Sequence, residues 1–195
     1  MTRSPAERDA GTGRAIGAGL IAGLVGAVVM AMFAMIAGAT YLGSGFFTPM
    51  YHIASSLLNP QPMMQSMQAA SQGNDFFFQG GTGVSGLLIH MMVGAAFGVI
   101  FALLARALHL RGGAAMVAGI VYGLAVMVIM SFVVLPVVAS LFGGGKPIAD
   151  MPVMVGWATF SIEHALFGAV LGLWFVRGEQ GILASSSPGV RATTA

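Results

Sequence analysis

Four side chains define the chemistry open to this chain. His90, His164 and Glu163 each sit inside an apolar stretch, and His52 lies in the longest connection between such stretches. Ionisable groups are costly within a bilayer, so those that occur there are the first place to look for function. Imidazole suits Zn, Cu and Fe, and His52, His90 and His164 with Glu163 offer three or four donors for a transition metal. Alternatively, His90 and His164 are the two axial ligands of a b-type haem, with Gly94, Gly98, Gly168 and Gly172 leaving room beside the helices for the macrocycle. A proton or ion pathway is a third use. Against these stands a structural polar cluster, in which the histidines bond to backbone carbonyls or to Ser85, Ser131, Thr159 or Ser161, and Glu163 pairs with a histidine. No H-E-x-x-H or similar ligand motif occurs, and Glu163 lies about 100° round a helix from His164, so the two do not aim equally at one centre.

The elements that must position these groups follow from composition. Of 195 residues, 57% are hydrophobic and 7% charged, against roughly a quarter charged in a soluble domain. Four apolar stretches, about 15–41, 84–105, 114–142 and 153–176, each reach the roughly 20 residues needed to cross a bilayer as a helix. The first is too long for the apolar core of a signal peptide and is expected to remain in the mature protein. This predicts an all-α, four-helix transmembrane bundle over 15–176, between flexible tails at 1–14 and 177–195. Pro136 is expected to bend the third helix.

Seven arginines decide the orientation. Arg3, Arg8 and Arg14 precede the first stretch, Arg106 and Arg111 separate the second and third, and Arg177 and Arg191 follow the fourth, leaving Lys146 alone on the other side. The positive-inside rule then puts both termini in the cytoplasm and explains the basic excess without nucleic acid. Trp157 and Trp174, about 25 Å apart along one helix, are interfacial anchors. The outer loop 42–83 carries no Lys or Arg, and its prolines open two short amphipathic stretches, Met50 to Leu58 and a second beginning at Pro62. These are expected to be interfacial helices. Met63, Met64 and Met67 in the second offer thioethers to Cu(I) or, more simply, apolar packing. His109 falls in the short cytoplasmic turn and is expected to be solvated. Gly143 to Lys146 lacks the spacing of a P-loop, and no nucleophilic triad or other catalytic motif is present.

The sequence also repeats itself. His90, Gly94, Gly98 and Phe101 fit the same H-x3-G-x3-G-x2-F pattern as His164, Gly168, Gly172 and Phe175, and Ile21 to Val25 matches Val117 to Val121. The reading is a duplicated two-helix hairpin related by a pseudo-twofold axis along the membrane normal. It places His90 and His164 at equal depth and expects their side chains to converge. Small residues recur every four positions, as Ala15, Gly19, Gly23 and Ala27, and as Ala115, Gly119 and Gly123. Such faces let backbones approach closely in lipid. They also fit a structural or accessory subunit that packs against itself or a larger complex.

The segments Phe47 to Ser56, Gly86 to Gly94 and Ser161 to Gly168 together resemble a family of small bacterial multi-pass membrane proteins, and are loosely similar to YagU-like inner-membrane proteins. The resemblance spans about residues 15–176. It implies a four-helix protein of the bacterial inner membrane and brings no functional residues with it.

Overall fold

The computed structural model describes residues 5–186; Arg3 and Arg191, and the end of the predicted C-terminal tail, lie outside them. The chain is all-helical, in the order α1 (Pro5–Ala39), α2 (Thr48–Ala54), α3 (Gln61–Ser71), α4 (Gly80–Ala107), α5 (Gly112–Ile129), a π-helical turn (Met130–Val134), α6 (Leu135–Phe142), α7 (Gly145–Ala149), α8 (Met151–Val155) and α9 (Trp157–Ser186). Four helical segments, Gly11–Ala39, Gly80–Ala107, Gly112–Phe142 and Trp157–Val176, are long and apolar enough to cross a membrane. Their outward faces are apolar as well, with Met92, Val117, Val121 and Phe132 each at least 60% exposed. In water such a surface would aggregate, whereas lipid solvates it.

Local chemistry moves several boundaries. The first helix reaches back to Pro5, well before the expected start near Ala15. The turn it adds is held where Arg106 donates from Nη1 to Thr12 Oγ1 at 2.6 Å. At the other end α9 runs on to Ser186, through part of the predicted tail. The predicted fourth stretch is broken at Gly156, whose φ of +87° ends α8 and lets α9 begin anew at Trp157. Ahead of Pro136 the third stretch forms a π turn, in which the Leu135 amide reaches back to the Met130 carbonyl. Proline supplies no N–H and crowds the preceding turn, which accounts for the π turn at the place where a bend is expected.

Close backbone packing holds the bundle together. A Cβ added to Gly23 would collide with the Gly94 carbonyl, and one on Gly98 would meet the Gly19 carbonyl, so α1 and α4 run almost in backbone contact. The same happens between α5 and α9, where Gly119 faces Gly168 and Gly172, and Gly123 faces the His164 carbonyl. The α1 helix also lies along α9, whereas α4 and α5 touch little. The four long helices thus form an arc in the order α4, α1, α9, α5. Near the termini α4 and α5 do meet, through the Tyr122 hydroxyl, which donates to the Phe97 carbonyl at 2.8 Å, and through Phe101, whose ring lies 5.2 Å from that of Tyr122. Towards the other end the gap between them widens.

The connections pack against this wider end. A Cβ on Gly86 would collide with the Met50 carbonyl, so α2 is seated directly on α4, with Met50, Tyr51, His52 and Ala54 all buried. Tyr51 fastens the loop, accepting from the Gln79 amide at 2.7 Å and donating to the Phe77 carbonyl at 3.2 Å. The helix α3 is joined through Thr48 Oγ1, 2.8 Å from Ser66 Oγ.

Candidate functional site

The gap between α4 and α5 holds a cavity of about 390 Å3, with all four long helices and α2 contributing to its walls. Its apolar side comes from small residues of α1, Ala27, Ala31 and Ala34, and from the rings of Phe97, Phe160 and Phe167. His52, His90, Glu163 and His164 all line it. The structure puts the two repeat-related histidines on the wall of one cavity, and His52 of the long loop on the same wall. Glu163 and His164 share the cavity despite their angular separation, because it spans the width of α9 between its neighbours.

Each imidazole has one nitrogen engaged. Nε2 of His90 donates to the carbonyl of Ala27 on α1 at 3.0 Å, and Nδ1 of His164 donates to the carbonyl of Phe160, one turn back on its own helix, at 2.8 Å. His52 Nε2 donates to the Pro147 carbonyl at 2.6 Å, tying α2 to α7. A carbonyl can only accept, so the proton sits on the engaged nitrogen and the second nitrogen of each neutral ring is an acceptor. Those second nitrogens, and the Glu163 carboxyl, have no hydrogen-bond partner among the described residues, yet no side-chain nitrogen or oxygen there is both sealed from solvent-sized probes and unpartnered. The open atoms of these residues are therefore accessible, and the residues that carry them line the cavity. His90 and His164 are near enough to interact electrostatically, and the His164 ring packs on Phe160 with centroids 4.5 Å apart. Burial holds the His52 imidazole below its usual pKa, only partly offset by its bond to Pro147.

Other predicted features are arranged differently. Gly94, Gly98, Gly168 and Gly172 leave no room for a macrocycle, because the space beside them is filled by the backbones of α1 and α5; a Cβ on Gly172 would come within 2.7 Å of the Ala115 carbonyl. Among the described residues, no three His, Asp or Glu side chains come together at a spacing that holds a metal ion. Ser85, Ser131 and Ser161 turn to carbonyls of their own helices and Thr159 to the Tyr41 hydroxyl, so none partners a histidine. The methionines diverge, Met63 being buried and Met64 exposed, while Met67 reaches the cavity. His109 is exposed in a left-handed turn, φ +51°.

Sequence reasoning missed the three phenylalanines; backbone carbonyls as histidine partners are among its readings, and the structure supplies which ones, Ala27, Phe160 and Pro147. Phe160 stands four residues before His164, a one-turn spacing that places ring and imidazole on one face, and this was the available signal. The cavity is open, since Val93 on the flank of α4 and Leu57 and Met154 at the loop end line it and remain 37%, 48% and 46% exposed.

Comparison with known proteins finds no matching family model, no similar curated protein and no similar solved structure.

Proposed function

We propose that this is a multi-pass membrane protein that binds a small, mainly apolar molecule in the cavity between α4 and α5, with both termini in the cytoplasm. One observation carries the reading: an open cavity of about 390 Å3 lined by His90, His164 and Glu163, whose second ring nitrogens and carboxyl have no protein partner among the described residues. Pockets of roughly 300–1,000 Å3 with apolar walls and a few convergent polar groups are the usual form of a small-molecule site. The exposed Val93 on the spanning part of α4 gives such a molecule a path from the lipid.

A duplicated hairpin accounts for the site's form. Equivalent glycines make equivalent contacts in the α1–α4 and α5–α9 pairs, and the matched Phe101 and Phe175 rings meet at 5.7 Å. The twofold relation is imperfect, since α1 lies against α9 while the corresponding α4 and α5 stand apart. The cavity is the space left by that asymmetry.

The experiment is equilibrium binding of 2-naphthylmethanol to the protein in lipid nanodiscs, with empty nanodiscs as the baseline. Saturable binding near one equivalent, abolished by Val126→Trp, which fills the cavity, is the expected result. Uptake no greater than that of empty discs, or binding indifferent to the filled cavity, refutes the reading.

A further inference from the structure

The polar lining of the cavity is one-sided. It contains Glu163 and three histidines but no Lys or Arg. The N–H groups of those histidines are already bound to carbonyls. The hydroxyl hydrogens of Thr48 and Ser56, also on the wall, are directed to the Ser44 and Ile53 carbonyls. What remains on the wall is a carboxyl group, acceptor nitrogens and the single hydroxyl of Ser44. An anion or a carbonyl-bearing ligand would find few donors there and a carboxyl close by.

A cationic nitrogen meets the opposite conditions. Its charge compensates the Glu163 carboxylate, the imidazoles of His90 and His164 on the wall offer acceptors to its N–H groups, and the wall also carries the aromatic rings of Phe97, Phe160 and Phe167. Glu163 is only 5% exposed and lies in a spanning segment, where an unpaired charge is costly and a partner correspondingly favourable. We propose that the ligand is a lipophilic amine bound as its ammonium ion, with Glu163 as counter-charge and the open nitrogens of His90 and His164 accepting its N–H bonds. This rests on the reading that the cavity binds a small molecule from the membrane, and it specifies the class of that molecule.

Three probes sharing one ring system separate the two claims. Affinities of 2-naphthylmethylamine, 2-naphthylmethanol and 2-naphthoate are measured on the full chain in nanodiscs, each corrected for uptake by empty discs. The amine is expected to bind roughly tenfold or more tightly than the alcohol, as a charge-assisted bond in a buried site does, and the naphthoate most weakly. Glu163→Gln keeps the shape and removes the charge; it is expected to erase the amine's advantage, bringing the amine and alcohol affinities of the variant to within about twofold of each other. If the alcohol binds as tightly as the amine, or Glu163→Gln weakens both equally, the cavity remains a binding site and the amine assignment falls. If no probe binds above empty discs, the binding reading falls and the assignment with it. Should Glu163→Gln fail to fold, by size-exclusion profile, the amine-to-alcohol ratio of the unmodified protein decides alone.

Discussion

His90 on α4 donates its Nε2 proton to the carbonyl oxygen of Ala27 on α1 across 3.0 Å, so a cavity-lining side chain is pinned to the glycine seam between two helices. His164, its repeat partner, bonds instead within its own helix, to Phe160. The first bond joins two elements and the second joins none.

Removing the two rings should therefore affect stability unequally. His90→Ala is expected to destabilise the folded protein in detergent by about 0.6 kcal/mol and at most about 1.7, the range of interhelical hydrogen bonds in membranes. His164→Ala breaks no interhelical bond, and its cost should come from lost packing on Phe160 alone. Denaturant titration followed by circular dichroism checks this, and a variant ranking in which both lose the same interhelical contribution would contradict it.

The glycine seams give a sharper contrast. Gly98→Ala and Gly119→Ala place a methyl group against the carbonyls of Gly19 and Gly168, and should each cost about 1–3 kcal/mol through forced helix separation. Gly17 on α1 has open space where a Cβ would stand. Gly17→Ala is expected to be neutral or slightly stabilising, by up to about 1 kcal/mol. Thermal melts of the three variants in one detergent provide the comparison.

His52 makes the loop end sensitive to pH. Its folded pKa is depressed by burial, more than its bond to Pro147 raises it, so the folded state prefers the neutral ring. This contribution is complete above the unfolded pKa of about 6.5 and is lost as pH falls from there towards the depressed folded value. Amide exchange in α2 should accelerate between pH 7 and pH 5, after correction for the intrinsic rate, and His52→Gln should flatten that change. An unaltered pH profile in the variant would assign the effect elsewhere.

Cysteine scanning tests the orientation, since the chain has no native cysteine. His109→Cys, in the turn between α4 and α5, should react with a membrane-impermeant maleimide only after cells are permeabilised. Gly73→Cys, in the long loop, should react in intact cells. The reverse pattern would invert the topology proposed from the arginines.

Much of this arrangement is legible in the residues. Four apolar runs give the spans, four-residue spacing of Gly19 and Gly23 and of Gly119 and Gly123 gives the seams, and the matched His90 and His164 point to residues that line one cavity. Other features depend on tertiary context that periodicity does not carry. Gly98 and Gly172 read equally well as space for a cofactor or for a neighbouring backbone, and only the position of α1 and α5 decides for the latter. The break at Gly156 requires a positive φ that no neighbouring residue signals. The gap between α4 and α5 comes from unequal packing of two similar hairpins, and similarity in sequence conceals a difference of that kind.

The central claim is that ligand occupies the cavity between α4 and α5, and photolabelling maps this most directly. A diazirine-bearing naphthylmethylamine is irradiated with the protein in nanodiscs, and the labelled residues are identified by mass spectrometry. The expected label falls on cavity-lining residues, foremost Phe97, Phe160, Phe167 and Met130, and excess unlabelled 2-naphthylmethylamine suppresses it. Label spread over outward-facing residues such as Val117, Val121 and Phe132, unaffected by competitor, would contradict the account.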